Sequence, residues 1–399
     1  MKFSIIITTT RPHLLEHSLR SAVAQTFDDY EIVVSDNSVA GCRDLVETIG
    51  AGKVRYVRPE ARMPLTPHWN FAFEQARGDW HLQLCDDDAI TPNLLAILDR
   101  QIECSPDVES IFWDIGSFCG DPGRSAEGIY NQLNVSRFSG NSHRYDSAEL
   151  LAAIFNSGTG LFRIKHMVPY FPRAVCHRSV LDAIRARQGQ LFHPFCPMTS
   201  GAIALLSFSK STLHLDLPLT LLGSTVDSCG GWIADPMTVD ASHAGANVEF
   251  APIKAFRILP TAMAEALLRT QRAMPDRLGN YEVNYVNYFL HCHLFLQSAA
   301  ERGVDLSAYQ KFFDEALAEM PVGTRDAVRA AIVAEPTADT PGLHLRAKRF
   351  VGSLLKQLRP PRLPGQVDAG RLGLHNIAEC AAYVGTLVEQ TTVPNTPTS

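Results

Sequence analysis

The chain has 399 residues, 46% hydrophobic and 20% charged, with a formal net charge of −6. That balance describes a globular protein with ample core-forming material and no overall electrostatic bias toward nucleic acid or anionic lipid. Nine cysteines without a CxxC pair fit reduced thiols in a cytoplasm and argue against a disulfide framework or a zinc site.

The N-terminal apolar run ends at Thr8 without a small-residue cleavage site, and no stretch reaches the roughly 18 apolar residues needed to span a bilayer. The expected location is cytoplasmic, or peripheral to the inner face of a membrane.

"FSIIIT" (3–8) is short, β-branched and wholly apolar, which predicts a buried parallel strand. "HLLEHSLRSAVAQ" (13–25) follows at helical spacing, with Pro12 suited to a first turn. "YEIVVSDNS" (30–38) is a second strand, and "CRDLVETIGAG" (42–52) a helix closed by glycine. "KVRYVRP" (53–59), "TPHWNFAFEQARG" (66–78), "WHLQLCDDD" (80–88) and "TPNLLAILDRQIEC" (91–104) continue as strand, helix, strand, helix. This alternation predicts an α/β fold with a mostly parallel central sheet flanked by helices.

A further strand is expected in "VESIFWDIGSF" (108–118), and helices in "SAELLAAIFNSG" (147–158) and "SVLDAIRARQG" (179–189). "HLDLPLTLLGS" (214–224) reads as an edge strand, because Pro218 cannot donate to a central ladder. After residue 252 the pattern turns helical. The expected organisation is therefore 1–250 as the main domain, divided into a first half (1–105) and a second half (106–250). A helical region (251–335) follows, and 336–399 is a linker, a basic helix and a C-terminal tail.

In parallel sheets ligands bind where strands end. "TTTRP" (8–12), "SDNS" (35–38) and "CDDD" (85–88) all follow strands, so three segments deliver polar groups to one rim. Carboxylates at a strand end suit a hard divalent cation that also carries phosphate oxygens, which makes Asp86, Asp87 and Asp88 candidate ligands for Mg2+ or Mn2+. Helix capping is the competing role for these aspartates, as it is for the threonines. Asp36 suits either a nucleoside contact or an ordinary turn. A nucleotidyltransferase would show a glycine-rich loop after the first strand, and a dinucleotide-dependent oxidoreductase a GxGxxG; "TTTRPH" is neither.

Together "FSIIITTTRPHLLEHSLRSAVAQTFDDYEIVVSDNS" and "NFAFEQARGDWHLQLCDDDAITP" resemble the nucleotide-binding half of the family-two glycosyltransferases, inverting enzymes of GT-A fold, over about residues 3–100. The resemblance implies that Thr8, Thr9, Thr10, Arg11, Asp36 and Asn37 flank the nucleoside diphosphate, with Arg62, Asn70 and Asp86 near the donor. It implies a sugar-nucleotide donor, most commonly a UDP- or dTDP-sugar, held by a cation on a DxD-type motif. Alignment on Pro92 puts Cys85 at the first acid of that motif and Asp87 at the last.

Transfer would be a single displacement assisted by a general base. Where the family carries that acid, before the helix of "GQLFHPFCPMTSGAIALLSF" (189–208), this chain has Met198. His193 and Asp227 are the substitute candidates, and His243 a candidate late metal ligand. A catalytically degenerate protein that binds a sugar nucleotide or a partner is the alternative. The resemblance implies an acceptor hydroxyl that the sequence does not identify, with a glycan or lipid-linked acceptor in surface polysaccharide or glycoconjugate synthesis as the expectation. "LHLRAKRFVGSLLKQLRPPRLPG" (343–365) holds six Lys/Arg and no acid. It suits peripheral membrane contact or packing within the protein or a homodimer.

Overall fold

The computed structural model describes residues 1–50, 52–120, 131–159, 168–225, 247–254, 258–301, 303, 305–335 and 365–392. The first half runs β1 (Phe3–Thr9), α1 (Pro12–Val23), β2 (Tyr30–Asp36), α2 (Arg43–Ile49), β3 (Val54–Val57), α3 (Leu65–Glu74) and β4 (Trp80–Cys85). These strands pair in the order β4-β1-β2-β3, all parallel. β1 is buried along its whole length because helices cover both faces. Phe3, Ile5 and Ile7 join the core that also takes Leu15 and Leu19 of α1, while Ile6 points to the opposite core with Trp69 and Phe73 of α3.

The second half contains β5 (Ala89–Ile90), α4 (Leu94–Cys104), β6 (Ser110–Cys119), β7 (Gln132–Asn134), β8 (Ser142–Asp146), α5 (Ser147–Ser157), β9 (Ala174–His177), α6 (Arg178–Gln188), α7 (Pro197–Phe208) and β10 (Ser211–Ser224). β9 lies antiparallel between β4 and β6, and β7 pairs antiparallel with β6. The parallel expectation therefore holds for β1 to β4, and the sheet as a whole is mixed.

The edge-strand expectation for residues 214–224 is corrected. β10 is hydrogen-bonded to β6, β8 and β5. Pro218 is accommodated at a break in register, with irregularities between Leu215 and Pro218 and between Pro218 and Thr220.

The expected helical region follows as α8 (Leu259–Ala273), α9 (Pro275–Leu278), α10 (Tyr285–Ala300), α11 (Ser307–Ala318) and α12 (Val322–Ala334). It adds Leu267, Tyr288, Phe289, Phe313 and Val328 to the core under α3, α5 and α7. The buried Glu265 of α8 accepts hydrogen bonds from the N–H groups of Phe250 and Ala251, each at 2.8 Å, and from Arg269 Nε at 2.7 Å. Among the described residues no helix is long and apolar enough to cross a membrane.

The expectation of a C-terminal tail is also corrected. β11 (Gln366–Asp368) pairs antiparallel with β7 and extends the sheet, and α13 (Ile377–Thr392) lies on the sheet face shared with α1. Cys380, Ala381, Val384 and Val388 are buried there. The linker at 336–342 and all but the last residue of the basic stretch 343–365 lie outside the described residues.

Candidate functional site

Parallel register aligns the three polar clusters: Thr8 pairs with Ser35 on one side and Cys85 on the other, and Thr9 pairs with Asp36. The strand ends therefore meet at one rim, as the pattern of the sequence requires.

The three aspartates then diverge. Ser18 Oγ donates to the Cys85 carbonyl at 2.9 Å, and the Asp88 N–H donates to the same oxygen at 3.2 Å, closing a tight turn. Asp86 turns inward and is only 2% exposed. Its carboxylate accepts from Thr9 Oγ1 at 2.8 Å, from the Thr10 N–H at 3.4 Å and from Arg11 Nε at 3.3 Å, and Arg11 Nη2 contacts its second oxygen. Arg11 Nη2 also lies 3.4 Å from Asp87. Burial pushes Asp86 above the usual carboxylate range, against the opposing pull of Arg11.

Asp88 is buried beneath β10 and accepts from the Gly223 N–H at 2.9 Å. Burial, reinforced by the charge of Asp87, raises its pKa well above the ordinary value. Glycine is required at 223: a Cβ there would meet the Asp87 carbonyl oxygen at 1.8 Å. The ligand atoms of Cys85, Asp87 and Asp88 lie within 4.8 Å of one another. Asp86, expected with Asp87 and Asp88 as a ligand, is outside this group; the candidate cation group of the structure is Cys85, Asp87 and Asp88, and Asp86 tethers Thr9 and Arg11.

Donor atoms on one ion, at about 2.1 Å for oxygen and 2.3 Å for sulfur, are at most about 4.4 Å apart. The observed spacing needs only a small side-chain adjustment, so the group fits a divalent cation.

Asp36 is fully buried. One oxygen accepts from the Ser38 N–H at 2.8 Å; the other takes the Cys42 N–H at 2.9 Å, Tyr56 Oη at 2.6 Å and Arg58 Nη1 at 2.9 Å. Burial alone would raise its pKa, but the hydrogen bonds from Ser38, Tyr56 and Cys42 outweigh it and bring the group down to about 2. The Asn37 side chain is spent on the Met63 backbone, donating to its carbonyl at 2.8 Å and accepting from its N–H at 2.9 Å. Thr8 is buried and accepts from Gln83 at 3.4 Å, whereas Thr10 and Arg62 are exposed.

Asn70 acts on the far half of the domain. Its amide donates to the carbonyls of Thr66 at 3.2 Å and Phe192 at 3.1 Å, and its oxygen accepts from the N–H groups of Leu191 at 2.9 Å and Phe192 at 3.1 Å. It thus anchors the loop that leads into α7.

His193, in that loop, is corrected as a base candidate. Nδ1 accepts from Gln190 Nε2 at 2.9 Å and Nε2 donates to Gln188 Oε1 at 3.1 Å, leaving no nitrogen to take an acceptor's proton. Burial, with Arg269 nearby, lowers its pKa to about 4. Phe195 holds φ at 78° just before α7, whose first turn carries no acid and begins Pro197-Met198. Asp227 and His243 lie outside the described residues.

Pattern reading missed Cys85 as a donor, Gly223, and the Tyr56–Arg58 clamp on Asp36. A glycine at a strand end was the one available signal for Gly223. A separate open cleft of about 420 Å³ between α1 and α13, lined by Glu16, Arg20, Ile90 and Glu379, contains none of these rim residues.

Residues 4–158, which contain β1 to β8 and the acidic turn, match the family described as Glycosyl transferase family 2. Similar solved structures include S. aureus TarS 1-349 in complex with UDP-GlcNAc, at 13% identity and TM-score 0.45, over 84% of this chain and 91% of that one. A second is the mannosyltransferase PcManGT from Pyrobaculum calidifontis in complex with GDP-Man and Mn2+, at 15% identity and TM-score 0.39, over 83% and 86%. No curated protein matches. The strands that carry the rim therefore lie within a segment, residues 4–158, that matches the family-two glycosyltransferase domain.

Proposed function

We propose that the chain is an inverting, metal-dependent transferase that moves a sugar from a nucleoside diphosphate to a hydroxyl of a glycan or lipid-linked acceptor. The observation that carries this reading is the grouping of Cys85, Asp87 and Asp88 donor atoms within 4.8 Å, on the strand next to the one that ends in Thr9. Asp87 and Asp88, with Cys85, would hold the cation, which when bound supplies positive charge to the diphosphate leaving group.

The protein's own groups do the rest. Arg11, fixed by Asp86, keeps a guanidinium at the rim beside Asp87, where it offsets the acidic turn and faces arriving phosphate. Asp36 acts indirectly: its carboxylate is spent on Tyr56 and Arg58, which it holds at the nucleoside side of the rim. Asn70 ties the donor half to the loop before α7, where the acceptor would enter.

A catalytically silent sugar-nucleotide binder is the second reading, favoured by Met198 and by the absence of an acid in the first turn of α7. A thermal-shift screen of nucleoside diphosphates and sugar nucleotides, each with and without Mn2+, tests the first reading, since a ligand that binds the folded state raises its melting temperature. Asp87→Ala is expected to abolish the metal-dependent part of the shift. A full shift in that variant would move the site elsewhere, and binding without turnover across donor and acceptor pairs would favour the silent binder.

A further inference from the structure

We infer that Cys85 is a thiolate ligand of the metal centre, and that it turns the site from Mg2+ and Mn2+ toward thiophilic divalent ions such as Co2+ and Zn2+. The inference rests on the metal-site reading above and adds the donor chemistry that selects the ion. Three observations support it. The sulfur and the two carboxylates form one group, with all ligand atoms within 4.8 Å. Asp86, the remaining acid of the turn, is committed to Thr9 and Arg11 and does not complete an all-oxygen set. The backbone at Cys85 is pinned by Ser18 and by the turn to Asp88, which holds the side chain in register with its neighbours.

Hard Mg2+ favours near-octahedral oxygen and keeps its waters, whereas a thiolate with two carboxylates suits borderline-soft ions, whose affinities rise along the first-row series. On binding, the Cys85 S–H bond breaks as the sulfur–metal bond forms, and the proton passes to the buffer. No electron transfer is involved.

The test uses the full chain with Cys104, Cys119 and Cys229 replaced by Ser, because the other described cysteines apart from Cys85 are buried. Co2+ is titrated in, and the near-ultraviolet sulfur-to-cobalt charge-transfer absorption is recorded. Cys85→Ser in that background is expected to abolish the band and weaken Co2+ binding by about tenfold or more, at least the loss seen when outer-shell partners of a metal site are removed. Mg2+ affinity should be essentially unchanged. Cys85→Asp, which restores an oxygen donor, is expected to bind Mg2+ more tightly than the parent.

Absence of the band, or equal Co2+ affinity in Cys85→Ser, would overturn the assignment. The two readings separate in one experiment. A band without nucleoside diphosphate binding keeps Cys85 as a ligand and removes the donor site. Metal-dependent nucleotide binding without a band does the reverse.

Discussion

Replacing Arg11 by Met isolates the internal ion pair on which the acidic turn is built. Asp86 is 3% exposed at its side chain and Arg11 18%, so the pair is nearly dry on one side and reached by solvent on the other. At an effective dielectric of about 20, unit charges about 4 Å apart attract by about 4 kcal/mol. Removing one partner of a buried pair costs about 3–5 kcal/mol. The partial exposure of Arg11 argues for the lower end, about 3 kcal/mol, or a fall of about 4 °C in Tm for a chain of 399 residues.

The deficit should depend on pH in a defined direction. Burial already raises Asp86, and losing Arg11 raises it further, so the folded state binds the proton more readily than the unfolded state. Stability then falls as pH rises from about 4 through the folded-state pKa. Denaturant titrations of Arg11→Met from pH 4 to 8 should show the smallest deficit at the acid end. Adding Asp86→Asn should recover most of the loss at pH 8. An Arg11→Met protein within about 0.5 kcal/mol of wild type, the range of ordinary surface substitutions, would refute the account, as would a deficit insensitive to both pH and Asp86→Asn.

Asp36 gives the opposite pH dependence. Its pKa is depressed to about 2, so its contribution is complete above the unfolded value near 4 and is lost as pH falls toward 2. The shift alone corresponds to about 2.5 kcal/mol; because Arg58 above it is 39% exposed, about 1.5 kcal/mol is expected. Asp36→Asn should remove the acid-side slope in stability, and an unchanged profile would contradict the network. Truncation after residue 364 removes β11 and α13 with the buried Ile377, Val384 and Val388. At about 1.5–3 kcal/mol for each large side chain, the loss rivals a typical total stability of about 5–15 kcal/mol. The shortened chain should lose its cooperative melt by circular dichroism, and a wild-type melt would show that the C-terminal segment is dispensable.

Several features were legible from local pattern. The β-branched run of β1, the Pro12 start of α1 and the helix of residues 65–74 report their state within a few residues, because strand and helix periodicity are short-range properties. The convergence of Thr8, Asp36 and the acidic turn followed from one general constraint: parallel strands joined by helices end on the same side of the sheet. The resemblance then named the family from an ordered set of such short motifs.

The direction of each aspartate was not legible in "CDDD". Adjacent acids are equivalent in pattern, and their division of labour is made by partners far away in the chain, Thr9 for Asp86 and Gly223 for Asp88. Distance also hid the reach of Asn70 to Leu191 and Phe192, the glutamine cage that occupies His193, and the return of residues 366–392 to the sheet. Pro218 misled for a related reason: proline reports only a missing donor, whereas a bulge can spend that missing bond inside a central strand. Secondary structure and the common rim arise from interactions along the chain. Which carboxylate faces a cation and which holds the frame depends on contacts that exist only once distant strands have packed.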